Sequence, residues 1–454
     1  MDDVFQYIDE HSSLYIDRLL HLLRKETLAI QRKGIAEGAE YVVGLLEDIG
    51  AVPKLIPLGE TTYVVTHLDG SHNHTIGFYN HFDTQPPERL EAWNSPPFDP
   101  IVHDGILYGR GATDNKGNLV ARICAIEAYK NVRGHLPINV IFLHDGEEEI
   151  GSPNMPTFLD QYGELVDKAD GWVWEGGDKN SDEQLEIYLG VNGMLGIELE
   201  VVTSQEDLHG SRSAIVPNAA WKLIWALNSL KDSSERILVE NFYEQVNPPD
   251  PDEMAILNSL PIDPVSIKRK YQITEFAGGQ SLAKALERQY LYPYLNISGM
   301  VSGYQGDGMK CILPHSAKCK LEFFLAPDQD PEKVFSHVSN HFKDHGFDDI
   351  VLNPYTTMPP SRTKPTAGFA QLAMELANEI YENGTVVYPI MPGFNPMGLF
   401  TKRFGVPAIS LGVGNANSRI HQPNENVRVE DFLLGIKFIA ALLERLGQSP
   451  QSWK

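Results

Sequence analysis

The chain has 454 residues, long for one hydrophobic core and ample for two, because single cores stop growing at roughly 250 to 300 residues. Its 42% hydrophobic and 22% charged residues exclude a disordered or fibrous chain. A formal net charge of −24 at pH 7 repels phosphate backbones and anionic lipid, which argues against nucleic-acid and membrane partners.

The first fifty residues read as helices, with Ile8, Tyr15, Leu19, Leu22 and Leu23, then Ala39, Val42, Val43, Leu45 and Leu46, recurring at helical spacing. Short apolar runs follow that stop at polar residues: 75–79 before Asn80-His81, 138–143 before His144-Asp145, 172–174 before Glu175, and 406–411 before Gly412. Such runs are the pattern of buried parallel strands, and stretches 117–130, 367–381 and 429–446 have the period of crossover helices. From about Gly193 the texture changes to alternation, at Ile197, Leu199 and Val201 and again at Cys319, Leu321, Phe323 and Leu325, the pattern of strands with one wet face. Helical stretches 219–230 and 331–345 accompany them, and a proline-rich turn region at 354–365 precedes the return of the buried-strand texture. The expectation is an α/β domain with a mostly parallel sheet and helices on both faces, in two parts (1–192 and 355–454), with a smaller α+β domain inserted at 193–354.

Three cysteines, Cys124, Cys311 and Cys319, cannot form a disulfide framework and fit a reducing compartment, with Cys311 and Cys319 read as core thiols. The acidic N-terminus lacks the basic region of a secretory signal, and no apolar run nears the ~20 residues of a membrane span, so the expected location is cytoplasmic.

In an open parallel sheet, ligands bind outside the carboxyl ends of the strands. Here those ends lead to His81-Phe82-Asp83, Glu147-Glu148-Glu149, Glu175 and, through a glycine-rich loop, His421, while Asp114 sits in 109–117 just before a helix. Carboxylates packed this densely raise one another's pKa values unless cations neutralise them. Mixed imidazole and carboxylate donors suit zinc, with manganese or cobalt as replacements, and a pair of such ions points to hydrolysis. His337, His341 and His345, four apart on a helix, read as a polar face beside Val334, Val338 and Phe342. His72, His74, His103, His135 and His144 read as surface or loop residues, and the glycine-rich stretch 303–308 lacks the helix-opening signature of a nucleotide site.

His81-Phe82-Asp83, the stretch 109–117, Glu148-Glu149-Ile150-Gly151-Ser152 and His421-Gln422-Pro423-Asn424-Glu425, in this order, resemble the motif series of the M20 metallopeptidases. That group includes glutamate carboxypeptidase, carnosinase-like dipeptidases, succinyl-diaminopimelate desuccinylase and acetylornithine deacetylase. The resemblance implies a zinc-peptidase-type fold with an inserted lid and dimerisation domain, and a homodimer formed through that lid. It implies His81, Asp114 and Glu175 on one of two divalent metal ions, with Asp114 bridging to a second held by Glu149 and His421. Asp83 would orient His81, Glu148 would be the general base on a metal-bridging water, and a cis peptide would follow Asp114. His209, in Asp207-Leu208-His209, would stabilise the oxyanion. The implied substrate is a dipeptide or small peptide, with an N-acyl amino acid deacylase or desuccinylase-like amidohydrolase as the alternative.

Three departures stand out. After His209 the chain reads Gly210-Ser211-Arg212-Ser213-Ala214-Ile215 in place of the family's usual glycine-rich run, and 392–396 departs from its glycine-serine loop. Phe324 stands where many relatives carry an arginine for the substrate carboxylate, a place Lys310 or Arg212 could fill, so a requirement for a free α-carboxylate is only weakly expected.

Overall fold

The computed structural model describes residues 1–449 and Trp453. Cα packing divides the chain into two compact units, one of Met1–Gly190, Arg362–Tyr388 and Asn395–Lys454, the other of Val191–Ser361 and Pro389–Phe394.

The large unit is a mixed, mostly parallel sheet of eight strands flanked by helices. Its order is Lys54–Leu58, Thr61–Leu68, Leu136–Asp145, Gly70–His81, Gly171–Trp174, Ala408–Ser410, Leu185–Tyr188 and Thr385–Tyr388. Gly70–His81 lies parallel to both of its neighbours, and Gly171–Trp174 parallel to Ala408–Ser410, so the strand ends leading to the candidate site share one edge of the sheet. The first two strands form an antiparallel ladder at one margin, which the buried-run pattern does not disclose because their apolar residues are few and interrupted.

Alternation along Gly70–His81 sends successive side chains to opposite faces. Phe78 packs on Phe142 and carries the Arg122 guanidinium of helix Lys116–Arg133 above its ring. On the other face Tyr79 stacks on Trp174 at 4.0 Å, and Phe400 of helix Met397–Phe404 closes edge-on over that pair. Gly77 is required by the same packing, since a Cβ there would meet the Trp172 ring at 2.5 Å. Helix Val429–Gln448 packs on Lys116–Arg133, and buried Phe432, Ile436, Ile439 and Leu443 keep helical spacing along it.

The small unit has a four-stranded antiparallel sheet in the order Tyr294–Ser302, Ser316–Leu325, Gly193–Val202 and Val351–Met358. Leu195, Ile197, Leu199 and Val201 join Cys319, Leu321, Phe323 and Leu325 in a core beneath helices Ala219–Leu230 and Pro331–Asp344. The proline-rich turn expected from residue 354 is instead part of the edge strand Val351–Met358. Pro354 is accommodated there because an edge strand can dispense with a donor, and a bulge at Tyr355 turns the ring over Gly196. Cys311 is exposed, correcting its reading as a core thiol, whereas Cys319 is buried and all three cysteines are free. Among the described residues, no helix is long and apolar enough to cross a membrane.

Candidate metal centre

Strand Gly70–His81 ends in His81, wholly buried, whose Nδ1 donates to the Asp83 carbonyl at 3.1 Å. That bond fixes the ring and turns Nε2 toward three carboxylates, Asp114 Oδ1 at 3.0 Å, Glu175 Oε2 at 3.1 Å and Glu148 Oε2 at 3.8 Å. The other Asp114 oxygen, Oδ2, lies 3.0 Å from His421 Nε2, which is in turn 3.1 Å from Glu149 Oε2. Asp114 thus offers one oxygen to each of two imidazoles. The structure brings together His81, Asp114, Glu148, Glu149, Glu175 and His421, from segments far apart in the chain. The only His, Cys, Asp or Glu groups among the described residues with ligand spacing fall here.

One imidazole nitrogen carries at most one proton, so it cannot satisfy two carboxylates at 3.0 and 3.1 Å. Glu175 Oε2 accordingly is buried without a hydrogen bond. Donors around a tetrahedral cation at 2.0 to 2.2 Å lie about 3.3 Å from one another, so the donor set fits divalent metal far better than it fits protons.

The charges around these groups point the same way. Burial disfavours the His81 cation, yet Glu175, Asp114 and Asp83 raise it well above an ordinary imidazole. Hydrogen bonds to Asp114 and Glu149 raise His421 to about 10. Burial pushes the Asp114 carboxyl up, but His421 and His81 outweigh it and leave the group well below its usual range. Burial and then Glu175 raise Glu148 well above an ordinary glutamate, and burial and then Asp114 raise Glu149. The cluster demands positive charge, and without it two imidazoles must supply it.

A further layer of side chains holds this cluster. Asp83 accepts the backbone N–H groups of Glu148 and Glu149 on its two oxygens, both at 3.1 Å, so it positions their turn as well as His81. Gln85 donates to both Glu149 oxygens, from its backbone at 3.1 Å and its side chain at 2.9 Å. Glu425, fully buried, takes the N–H groups of Gly111, Thr113 and Asp114 and pairs with Arg110 at 2.7 Å. Gln85 and Glu425 carried no role in the sequence reading. Glu425 closes the quoted His421 motif, but nothing local signals that its carboxylate reaches a loop more than three hundred residues earlier. The peptide bond between Asp114 and Asn115 is cis. His421 has φ +58°, a left-handed conformation uncommon outside glycine, as does Asn424 at +64°.

The remaining candidates lie elsewhere. His144 is fully buried in strand Leu136–Asp145 with neither ring nitrogen bonded, correcting its reading as a surface or loop residue. The strand runs two residues past its apolar stretch and carries the ring inward. His341 is likewise buried, with Nε2 3.0 Å from Ser229 Oγ, so it is not part of a polar outer face. His209, in the small unit, is exposed on a two-residue ladder with Ile312–Leu313, and its Nδ1 accepts the Ser211 N–H at 3.3 Å. Phe324 stacks on Tyr294 at 4.5 Å and lines, with Tyr271 and Phe276, a cavity of ≈ 660 Å³ inside the small unit.

Comparison with known proteins agrees with this chemistry. The chain is 24% identical to the Beta-Ala-His dipeptidase of Rattus norvegicus over 99% of its own length and 96% of that protein's. It is also 24% identical to the Cys-Gly metallodipeptidase DUG1 of Saccharomyces cerevisiae, over 100% and 99%. The crystal structure of the M20 family metallo-carboxypeptidase Sso-CP2 from Sulfolobus solfataricus superposes with a TM-score of 0.90 at 32% identity, covering 96% of this chain and 99% of that one. The family model for peptidase family M20/M25/M40 matches residues 77–445, which includes His81, the cis peptide and the loop of His421, and the chain belongs to that family.

Proposed function

We propose that the protein hydrolyses the amide bond of dipeptides or small peptides, with Glu148 as general base. The observation that carries this reading is Asp114, whose two oxygens each face a different histidine at 3.0 Å. In this reading His81, Asp114 and Glu175 hold one divalent ion and Asp114, Glu149 and His421 the other, zinc being the first choice with manganese or cobalt as substitutes. When bound, such ions neutralise the carboxylates, polarise a substrate carbonyl and make water acidic enough to attack near neutral pH.

The protein's own groups do the rest. Glu148, ionised once bound cations balance the neighbouring carboxylates, would take a proton from the attacking water and return it to the leaving amine. Asp83 keeps that carboxylate in register by gripping its backbone N–H. His209 Nδ1 accepts the Ser211 N–H, which directs Nε2 to donate to the developing oxyanion. With Phe324 stacked on Tyr294, no guanidinium stands at that position, so discrimination for a free substrate carboxylate is weak. The exposed face of helix Ala219–Leu230, with Trp221 and Trp225 stacked and Ile224 beside them, supports a homodimer through the small unit, a state that sedimentation would read directly. Three free cysteines support a reducing, cytoplasmic setting.

The test is Glu148→Gln, assayed against dipeptides, their C-terminal amides, and N-acetyl and N-succinyl amino acids. Turnover of dipeptides and of their amides should fall at least ~10²-fold with metal content unchanged. Undiminished turnover removes Glu148 as the base, and wild-type release of acyl groups without dipeptide cleavage replaces the substrate class.

A further inference from the structure

Arg122 is 2% exposed, and no carboxylate lies within ion-pair distance of it among the described residues. A buried guanidinium with no ion-pair contact and only the more distant charge of Glu175 to balance it is costly and persists only where its donors are used. Here they are used on the strand ends of the metal centre. Nη1 donates to the Tyr79 carbonyl at 2.6 Å, the Val173 carbonyl at 3.2 Å and Asn80 Oδ1 at 3.2 Å, and Nη2 to the Trp174 carbonyl at 2.6 Å and the Leu411 carbonyl at 3.1 Å.

Four of the five acceptors sit one or two residues before a candidate ligand. Tyr79 is two residues from His81, Trp174 directly precedes Glu175, and Leu411 opens the loop that ends at His421. The link to Asp114 runs through Asn80, whose Nδ2 donates to Asn115 Oδ1 at 2.6 Å, and Arg122 itself stands two turns into the helix that Asn115 caps. One planar fork of fixed geometry therefore ties together four of the segments that carry the centre.

We propose that Arg122 is a positioning residue for the metal centre: its guanidinium sets the mutual spacing of His81, Asp114, Glu175 and His421, with Asn80 transmitting that spacing to the Asp114 turn. This rests on the two-metal reading above. A lysine keeps the charge but cannot reach this planar fan of acceptors, so Arg122→Lys separates geometry from electrostatics.

The experiment measures divalent-metal affinity by competition with a chromophoric chelator, the visible absorption of the cobalt-loaded protein, and kcat and KM on one dipeptide. Thermal unfolding of the metal-free form is followed alongside. Arg122→Lys should weaken metal binding about 10- to 100-fold, change the cobalt bands and lower kcat with KM nearly constant. Asn80→Asp keeps an acceptor for Arg122, turns the donor toward Asn115 into an acceptor and adds a negative charge beside the guanidinium. It should weaken binding about tenfold, and it decides the matter if the lysine variant does not fold. Wild-type affinity and cobalt spectrum in either folded variant overturn the proposal, as does a lowered unfolding temperature with metal binding untouched. A wild-type protein that binds no stoichiometric metal fails the two-metal reading itself, and the proposal with it.

Discussion

His81 and His209 each end an extended segment, yet their surroundings have little in common. The His81 ring is buried, its Nδ1 tied to a carbonyl and its Nε2 crowded by Asp114 and Glu175. His209 is exposed, with Ser211 as its side-chain partner. A ligand cage must hold several atoms at fixed separations before the cation arrives, so the large unit backs His81, Glu149 and the Asp114 turn with a second set of bonds. A group that only donates to a developing charge needs one correct tautomer and access. Mutations behind the cage should therefore disturb folding and metal together, whereas changes at His209 should disturb rate alone.

The largest effect is expected at Glu425. Replacing it with alanine leaves Arg110 buried without its partner and three backbone N–H groups unbonded. Stability should fall by about 3 to 5 kcal/mol and metal affinity by about 10- to 100-fold, read by calorimetry and chelator competition. Stable, fully metallated Glu425→Ala would erase the distinction between the two regions. His209→Ala should lose about 10²- to 10³-fold in kcat with metal content and unfolding temperature unchanged. A loss of metal there would place His209 with the cage instead.

The smallest effect concerns pH. Burial lowers His144 to about 3, so the folded protein keeps it neutral while the unfolded chain takes up a proton below about 6.5. The associated stability is present above pH 6.5 and drains away as the pH falls toward 3, at up to about 1.4 kcal/mol per pH unit. His144→Phe should flatten unfolding temperature against pH across that window by this one-proton slope. An unaltered slope would show that the ring is not held neutral.

The sequence pointed to the side chains of the cluster because they stand at or shortly beyond the ends of apolar runs: Glu175 directly after Trp172-Val173-Trp174, His81 one residue past 75–79, and Glu148-Glu149 in the turn beyond 138–143. It did not point to the supporting layer. Arg122 looks like any charge on an amphipathic helix, and only the folded sheet shows four carbonyls converging on it. Glu425 and Gln85 act through backbone N–H groups and a distant carboxylate, contacts that leave no periodic trace. His144 misled because polarity at a strand end reads as exposure, whereas the pleat carried its ring inside. Pro354 misled likewise, since proline marks a turn in sequence but fits the edge of a sheet.

The central claim is that His81, Asp114, Glu149, Glu175 and His421 enclose a pair of cations. Elemental analysis of active, chelator-free protein, combined with anomalous scattering from its crystals, tests it directly. The account predicts two transition-metal ions per chain, placed on either side of Asp114. Protein that cleaves dipeptides while holding no stoichiometric metal there would contradict it.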